Sequence, residues 1–364
     1  MRSMSDTLAR LAALRGTLSI QPTQSSHDLV ALDGFGSNPG ALGAYTYLPS
    51  EPQKNMPLVV VLHGCTQTAT GYDSGAGWSQ LAEDYGFALL FPEQRRTNNP
   101  NLCFNWFNPD DTSRDHGEVF SIRQMIAKVV ADHGIDSRRV FVTGLSAGGA
   151  MAAAMLATYP DVFAGGAIIA GLPYASAASI PEAFDRMRGH GTPDAKELER
   201  RLRNASKHNG PWPTLSIWQG TADRTVAPSN ANAILAQWGN VHGVAASPTR
   251  VENIGQHQRQ IWTDPHGTEV IELYTVAGMD HGTPLDLSTG YGASGPFMLD
   301  VGISSTVETA RSWGLVPSFE KRRKTESSAS EPERSSHPLG SKDGNGGKIQ
   351  KVIEDALRSA GLLK

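Results

Sequence analysis

Six short runs of apolar and β-branched residues alternate with segments of helical spacing along the middle of the chain. Within each run the apolar residues are nearly continuous, which is typical of strands buried on both faces of a parallel sheet. Connections between parallel strands cross over the sheet and are usually helical and right-handed. The pattern therefore predicts an α/β fold with a mostly parallel central sheet and helices on both faces. The predicted strands are 58–62, 87–91, 140–143, 164–169, 215–218 and 270–276.

A longer connection, 174–213, separates two of these predicted strands. It contains a helix-like segment near 196–206, with glycine and proline turn residues around it. In a compact domain a connection of this length is more often a lid or cap than a structureless loop. We therefore expect a small lid insertion at 174–213.

The residue pattern divides the chain into four regions. Leucines at helical spacing predict a helix within a lead-in at 1–37, and the α/β domain is expected to cover 38–319. The segment 320–347 is rich in Ser, Glu, Lys, Pro and Gly, which is typical of a disordered linker. Helical spacing returns at 348–364 and predicts a C-terminal amphipathic helix. Two destinations stay open for that helix, its own domain or a partner.

Composition and charge exclude several classes of function. Lys and Arg total 32 against 36 for Asp and Glu, and no long basic run lies within the predicted domain, so nucleic acid is not expected as a partner. No segment approaches the ~18 apolar residues of a membrane span. Arg10 and Arg15 interrupt the apolar positions of the N-terminal helix, so we interpret it as a helix and not as a signal peptide. We expect no metal site and no cofactor.

Gly144, Ser146 and Gly148 occupy the turn between a predicted strand and a helix-forming run. The Gly-x-Ser-x-Gly pattern alone is common, but here strand 140–143 leads directly into the helix-forming residues 150–157. This connection forces a sharp turn that lifts the serine hydroxyl above the carboxyl edge of the sheet. Side chains at the two glycines would collide across that turn. The context favours Ser146 as a catalytic nucleophile over a turn without chemical meaning.

A serine nucleophile needs a base, and the base needs an acid that orients it. In this type of fold both partners follow the serine, the acid first. Asp223 lies just past the end of one predicted strand, and His281 follows the last strand between glycines. We therefore predict a triad of Ser146, Asp223 and His281. Competing interpretations are an ion pair of Asp223 with Arg224, a surface role for His281, and Asp280 as a local alternative acid.

Two backbone N–H groups are predicted to bind the oxyanion of the tetrahedral intermediate. In this arrangement one comes from the residue after the nucleophile, Ala147, and the other from the turn after strand 58–62, at Cys65. His63 begins the same turn and could orient it. Because His63 precedes the nucleophile in the chain, we do not expect it to be the base. A disulfide between Cys65 and Cys103 and a pair of free thiols both remain open.

These motifs resemble the polyhydroxybutyrate depolymerase family of esterases, which are α/β-hydrolases related to the feruloyl and acetylxylan esterases. The resemblance rests on the segments LVVVLHGCTQ, GWSQLAEDYGFALLFPEQ, CFNWF and GEVFSIRQMI, and on the surroundings of GLSAGG. It implies the α/β-hydrolase fold and a serine esterase that acts on poly- or oligo-3-hydroxybutyrate-type esters through an acyl-enzyme. It also implies a bridge between Cys65 and Cys103.

The resemblance further implies aromatic residues along the substrate cleft. Trp106 is similar to one such residue, although a tryptophan is as often part of the core. Trp106 and His63 are therefore the candidate substrate-binding residues. Two rival functions remain: a feruloyl or acetyl-polysaccharide esterase, and a catalytically silent binding module of the same fold. The family implies an extracellular protein, whereas the N-terminal sequence leaves a cytoplasmic location open.

Overall fold

A ten-stranded sheet runs through the protein, whose computed structural model describes residues 29–316. Its strand order is β1-β2-β4-β3-β5-β6-β7-β10-β9-β8, and β11 and β12 form a separate pair. The strands are β1 (Val30–Ala31), β2 (Gly43–Tyr47), β3 (Leu58–Leu62), β4 (Ala88–Glu93), β5 (Val140–Leu145), β6 (Gly165–Ile169), β7 (Thr214–Gly220), β8 (Arg250–Ile254), β9 (His257–Thr263), β10 (Glu269–Val276), β11 (Thr283–Leu285) and β12 (Met298–Asp300).

The six central strands, from β4 to β10 in the sheet, are mutually parallel. Antiparallel strands extend the sheet at both edges. The six strands predicted from apolar runs correspond to these six central strands, with ends that differ by up to two residues. The predicted α/β fold with a mostly parallel sheet is confirmed.

Helices cover both faces of the sheet within the described residues. They are α1 (Ala69–Ala76), α2 (Trp78–Tyr85), α3 (Pro109–Thr112), α4 (Gly117–His133), α5 (Ala147–Thr158), α6 (Ile180–Met187), α7 (Ala195–Asn204), α8 (Ser229–His242) and α9 (Ser305–Ser312), with a short 3₁₀ turn at Leu287–Thr289. Along β3 the side chains alternate between two apolar cores, because successive residues of a strand point to opposite faces. Leu58, Val60 and Leu62 pack with α4, α5 and α8, whereas Val59 and Val61 pack with α1, α2 and α9.

Helix α5 is the most deeply enclosed of these helices, since all twelve of its residues are buried. It is built almost entirely of alanine, glycine and methionine, and small side chains allow it to lie close against β5 and β6. Its first residue follows the nucleophile candidate directly. The position of Ser146 is therefore fixed by the interior of the protein and not by a surface loop.

The structure adds strands that the apolar pattern did not predict. The hairpin of β8 and β9 carries charged and polar residues at positions that are partly or fully exposed, so it lacks the continuous apolar character of the central strands.

In the predicted lid, α7 coincides closely with the helix-like segment at 196–206, and α6 is a second helix that was not predicted. β1 pairs with β2 at the sheet edge, ahead of the domain boundary predicted at residue 38.

Three sequence predictions concern residues outside the described range. The first is the helix of the N-terminal lead-in 1–37, and this lead-in lies almost wholly before residue 29. The other two are the linker at 320–347 and the C-terminal helix at 348–364. They stay predictions, as do the domain boundaries. Within 29–316, no helix is both long and apolar enough to cross a membrane.

Candidate active site

Ser146 is the single residue between β5 and α5, and its backbone is strained. Its φ of 57° and ψ of −116° lie in a region that a residue with a side chain rarely adopts. A Cβ on Gly144 would overlap the backbone carbonyl of Gly148, and a Cβ on Gly148 would overlap the carbonyl oxygen of Leu62. Both neighbouring glycines are therefore required by the close approach of β3, β5 and α5 at this turn.

The side chains of His281 and Asp223 form a buried pair. His281 Nδ1 lies 2.8 Å from Asp223 Oδ2, and the residues are 5% and 4% exposed. The backbone N–H groups of Thr225 and Val226 donate to Asp223 Oδ1 at 2.9 and 2.8 Å, and the Gln219 side-chain amide donates to Oδ2 at 3.1 Å. These bonds hold the carboxylate in place, and they leave His281 Nε2 as the ring nitrogen available to a substrate or nucleophile.

The competing interpretations of these two residues are wrong. Asp223 is buried and faces the imidazole, so it does not form a surface ion pair with Arg224, and His281 is not a surface residue. Asp280 is not the acid either, because its carboxylate accepts a bond from the backbone N–H of His281, at 2.8 Å, and not from the ring.

Strand pairing brings the predicted acid, Asp223, and the predicted base, His281, together although they are 58 residues apart. β7 and β10 are parallel neighbours, and Gly220 at the end of one pairs with Val276 at the end of the other. The loops that follow are joined by backbone bonds from Thr221 to Val276 and from Ala222 to Met279, each 3.0 Å long. Both loops leave the carboxyl edge of the sheet, where β5 also ends at Ser146.

One predicted oxyanion donor follows Ser146 in the chain, and the other lines the same cavity. Ala147 is the first residue of α5, and backbone N–H groups in the first turn of a helix have no acceptor within it. Cys65 lines the same cavity as Ser146, in the turn that follows β3. The positive end of the α5 dipole adds to the attraction for a developing negative charge.

His63 is the first residue of that turn, and it is buried, with 1% of its surface exposed. Its Nδ1 is 2.8 Å from the Gly64 carbonyl oxygen, and its Nε2 accepts a bond of 3.1 Å from the Gln94 backbone N–H. This pattern requires a neutral ring with its proton on Nδ1, and burial indeed lowers the pKa of His63 to about 4. His63 is not among the residues that line the cavity, so the structure does not support it as a substrate-binding residue.

Cys65 and Cys103 form a disulfide, as the family resemblance implied. The bridge links the turn after β3 to the loop that contains Trp106. A backbone bond of 2.7 Å from Thr66 N–H to the Asn101 carbonyl joins the same two segments. The predicted oxyanion donor Cys65 is therefore tied to the loop that contains Trp106, which forms another part of the cavity wall.

Sequence reasoning missed a buried polar network behind this wall. Gln94 Nε2 donates to Glu118 Oε1 at 2.6 Å and to the Cys103 carbonyl at 3.0 Å. Glu118 Oε2 accepts the Asn105 backbone N–H at 2.9 Å. Burial, and secondarily the charge of Asp111, raises the pKa of Glu118 to about 8. In the sequence, Glu118 is simply a glutamate in the first turn of a helix that has an apolar face. Glutamates at such positions are usually exposed to solvent, so nothing in the pattern indicated that this one is buried.

A cavity of about 570 Å³ opens in front of Ser146 and His281. Trp106 lies in its wall, edge-on to Phe107, and at 6% exposure it also belongs to the apolar core, so its role in substrate binding stays a prediction. The predicted lid contributes the apolar side chains of α6, and the 98–108 loop contributes asparagines. Among the described lining residues, His281 is the only ionisable side chain, because both cysteines are bridged. Such a cavity suits an uncharged substrate.

The described range, residues 29–316, offers no cluster of metal-ligating side chains. No group of three or more His, Cys, Asp or Glu residues in this range is arranged to hold a metal ion.

Comparisons with known proteins show that the chain is similar to esterases. The sequence profile of the family described as "Esterase PHB depolymerase" matches residues 42–260. Poly(3-hydroxyalkanoate) depolymerase C of Paucimonas lemoignei is 42% identical over 316 residues, which cover 85% of this chain and 76% of that protein. An acetylxylan esterase of Coprinopsis cinerea is 32% identical over 270 residues, 72% of this chain and 71% of that protein.

A solved structure has a similar fold. The acetyl xylan esterase from Aspergillus awamori superposes with a TM-score of 0.69 over 79% of this chain and 100% of its own. The two sequences are 24% identical, so the likeness concerns the fold alone.

Proposed function

The chain belongs to the PHB depolymerase family of esterases and is a serine ester hydrolase, and from this premise we propose that it cleaves poly- or oligo-3-hydroxybutyrate-type esters with Ser146, His281 and Asp223 as its triad. The observation that carries the proposal is the buried His281–Asp223 pair, 2.8 Å apart, beside a cavity that Ser146 also lines. Three features suit the hydrolysis of a neutral ester. The serine lies on a strained turn, the histidine is held by a carboxylate whose oxygens are both hydrogen-bonded, and the cavity is uncharged.

In the acylation step, Ser146 Oγ attacks the ester carbonyl carbon while His281 Nε2 takes the hydroxyl proton. The carbonyl π electrons move onto oxygen, and the N–H groups of Cys65 and Ala147 bind this oxyanion. When the carbonyl reforms, the bond to the alcohol oxygen breaks. His281 gives its proton to that oxygen, the alcohol leaves, and the acyl group stays on Ser146.

In the deacylation step, water attacks the acyl carbon and His281 takes one of its protons. The second tetrahedral intermediate expels Ser146 Oγ, which recovers the proton from His281. The products are one carboxylic acid and one alcohol, and the enzyme returns to its starting state. No oxidant or reductant is consumed.

Asp223 and His63 support this chemistry without contacting the ester. Asp223 accepts the Nδ1 proton of His281 in a hydrogen bond, which fixes the tautomer and stabilises the imidazolium that forms in each step. His63 bonds the carbonyl of the same peptide group that carries the Cys65 N–H, so it sets the direction of that donor. We assign His63 as a positioning residue.

The substrate class is inferred from the cavity and from the relatives. Trp106, Phe107 and the α6 side chains provide an apolar wall for the methyl-bearing backbone of a hydroxyalkanoate chain. The 42% identical relative is named for action on poly(3-hydroxyalkanoate), whereas relatives named as feruloyl or acetylxylan esterases are 28 to 33% identical. The hydroxyalkanoate ester is therefore the first candidate.

The direct test is turnover of a soluble 3-hydroxybutyrate trimer by the purified protein, with Ser146→Ala as the blank. A feruloyl ester and an acetylated xylo-oligosaccharide are assayed in parallel. Turnover of the trimer that disappears in the variant supports both substrate and nucleophile. If the trimer is untouched while one of the other esters is cleaved, the substrate assignment is wrong and the triad stands.

A further inference from the structure

A single carboxylate oxygen of Asp280 joins the two loops that carry the proposed acid and base. Asp280 Oδ1 accepts the backbone N–H of His281 at 2.8 Å and the backbone N–H of Arg224 at 3.4 Å. Arg224 is the residue immediately after Asp223. We propose that Asp280 is a positioning residue that holds the base and the acid at their catalytic separation, an inference that rests on the triad proposed above.

The remaining bonds between these loops stop short of the catalytic side chains. Backbone bonds link Thr221 to Val276 and Ala222 to Met279, and Gly278 N–H donates to the Thr221 hydroxyl at 2.8 Å. Within the described chain, the next connection outward is the Asp280 carboxylate, followed only by the His281–Asp223 pair itself. Asp280 therefore connects the two loops at the residues next to the proposed acid and base.

The two loops approach each other closely where they leave the sheet. A Cβ on Gly220 would overlap the Met279 carbonyl oxygen, so their separation at this end is set by backbone contact. Asp223 is held by the backbone of Thr225 and Val226 in its own loop and by the side chain of Gln219 at the end of β7. His281 has no comparable set of bonds in its own loop, and its backbone N–H is bonded to Asp280. Asp280 consequently acts mainly on the base.

The role requires an acceptor at this position and not a charge. Both partners of Asp280 are neutral backbone N–H groups, and an asparagine can present an oxygen in the same place. Without the acceptor, the loop after β10 is free to shift against the loop after β7. A misplacement of about 1 Å in a catalytic group can lower turnover about 100-fold.

The test compares Asp280→Ala with Asp280→Asn, using kcat and KM for a soluble ester. A matched control is Asp264→Ala. Asp264 Oδ1 also accepts two backbone N–H groups, those of His266 and Thr268 at 2.9 Å each, in the turn before β10 at the opposite end of that strand. The second readout is the downfield NMR signal of the proton shared by His281 and Asp223, which a purely structural role would leave in place.

For Asp280→Ala we expect kcat to fall about 10- to 100-fold with KM nearly unchanged, and the downfield signal to weaken. Asp280→Asn should keep kcat within about threefold of the parent, since it retains the acceptor. Asp264→Ala should lose thermal stability and keep kcat. If Asp280→Ala does not fold, Asp280→Ser takes its place in the comparison with Asp280→Asn. The serine hydroxyl is carried on a shorter side chain, so it reaches the two backbone N–H groups less well than the asparagine oxygen.

Three outcomes contradict parts of this assignment separately. Parent-like kcat in Asp280→Ala, with Ser146→Ala and His281→Ala inactive, overturns the role of Asp280 and leaves the triad intact. An equal loss in Asp280→Asn and Asp280→Ala overturns the acceptor role. Turnover that survives in Ser146→Ala and His281→Ala means that the proposed triad itself has failed.

Discussion

The imidazole of His63 lies 2.8 Å from the carbonyl oxygen of Gly64, and that carbonyl shares its peptide group with the N–H of Cys65. A hydrogen bond accepted by a peptide carbonyl polarises the group and strengthens its N–H as a donor. The bond also fixes the plane of the peptide. The direction of a proposed oxyanion donor thus depends on a buried side chain that does not line the cavity.

Replacement of His63 should therefore reduce turnover more than substrate binding. We expect His63→Ala to lower kcat about 10- to 100-fold, less than complete removal of an oxyanion donor, with KM changed little. Steady-state kinetics with a soluble ester measures both constants. The matched control is His242→Ala, because burial also lowers the pKa of His242 to about 4 but this residue lies on α8, away from the cavity. Equal effects in the two variants would contradict the positioning role.

Glu118 should make the folded state less stable as the pH rises. Its pKa is raised from 4.5 to about 8 in the folded protein, so the folded state keeps a proton that the unfolded chain has released. The contribution of Glu118 to stability is fully present below about pH 4.5 and is lost as the pH rises through 8. Over this window the free energy of unfolding should decrease by about 1.4 kcal/mol per pH unit from this group alone.

Urea denaturation between pH 5 and 8 tests this dependence. In Glu118→Gln the free energy of unfolding should depend less steeply on pH than in the parent, by the slope that corresponds to about one proton. The exposed control Glu51→Gln should keep the slope of the parent. A parent profile with no difference from Glu118→Gln would mean that Glu118 is ionised in the folded protein throughout this range.

The main features of the fold, and the residues of the proposed triad as candidates, could be identified from the sequence for physical reasons. The central strands are buried on both faces, so they appear as continuous apolar runs such as Leu58–Leu62. Ser146 could be found because its turn requires glycines on both sides. Asp223 and His281 could be found because chain order and the ends of parallel strands restrict the choice.

The parts that could not be predicted depend on long-range contacts. β8 and β9 lie at an edge of the sheet and carry polar residues, so nothing in their pattern distinguishes them from loops. Gln94 and Glu118 are single polar residues whose partners come from loops elsewhere in the chain. The sequence placed His63 in the correct turn, but only the structure reveals that both of its ring nitrogens are used within the protein.

Reduction of the Cys65–Cys103 disulfide should impair both stability and activity. The bridge spans 38 residues, and in the chain-entropy model it stabilises the folded state by roughly 4 kcal/mol. Its loss also frees the turn that holds a proposed oxyanion donor. We expect a reductant to lower the melting temperature and kcat together. A variant with Cys65→Ser and Cys103→Ser should show the same defects without reductant and no further response to it; full activity in that variant would contradict the expectation.

The enzyme should prefer neutral substrates to anionic ones, because the described lining of the cavity carries no Lys or Arg side chain. His281 is the only ionisable side chain among the described lining residues, so a carboxylate bound there would lose hydration without gaining a lysine or arginine as a partner. We expect the methyl ester of a 3-hydroxybutyrate dimer to be cleaved with a higher kcat/KM than the free acid. Met187 lies in the apolar wall formed by α6, and Met187→Lys would supply a cation at that place.

This variant should shift the ratio of free acid to methyl ester by about tenfold or more toward the acid, which corresponds to about 1.4 kcal/mol. Met187→Gln is the control, since it changes polarity without adding charge and should leave the ratio near that of the parent. An equal shift in both variants would indicate that wall polarity, not charge, governs the selection. If the parent enzyme already prefers the free acid, a cationic group outside the lining residues must hold the carboxylate, and the uncharged cavity does not set the specificity.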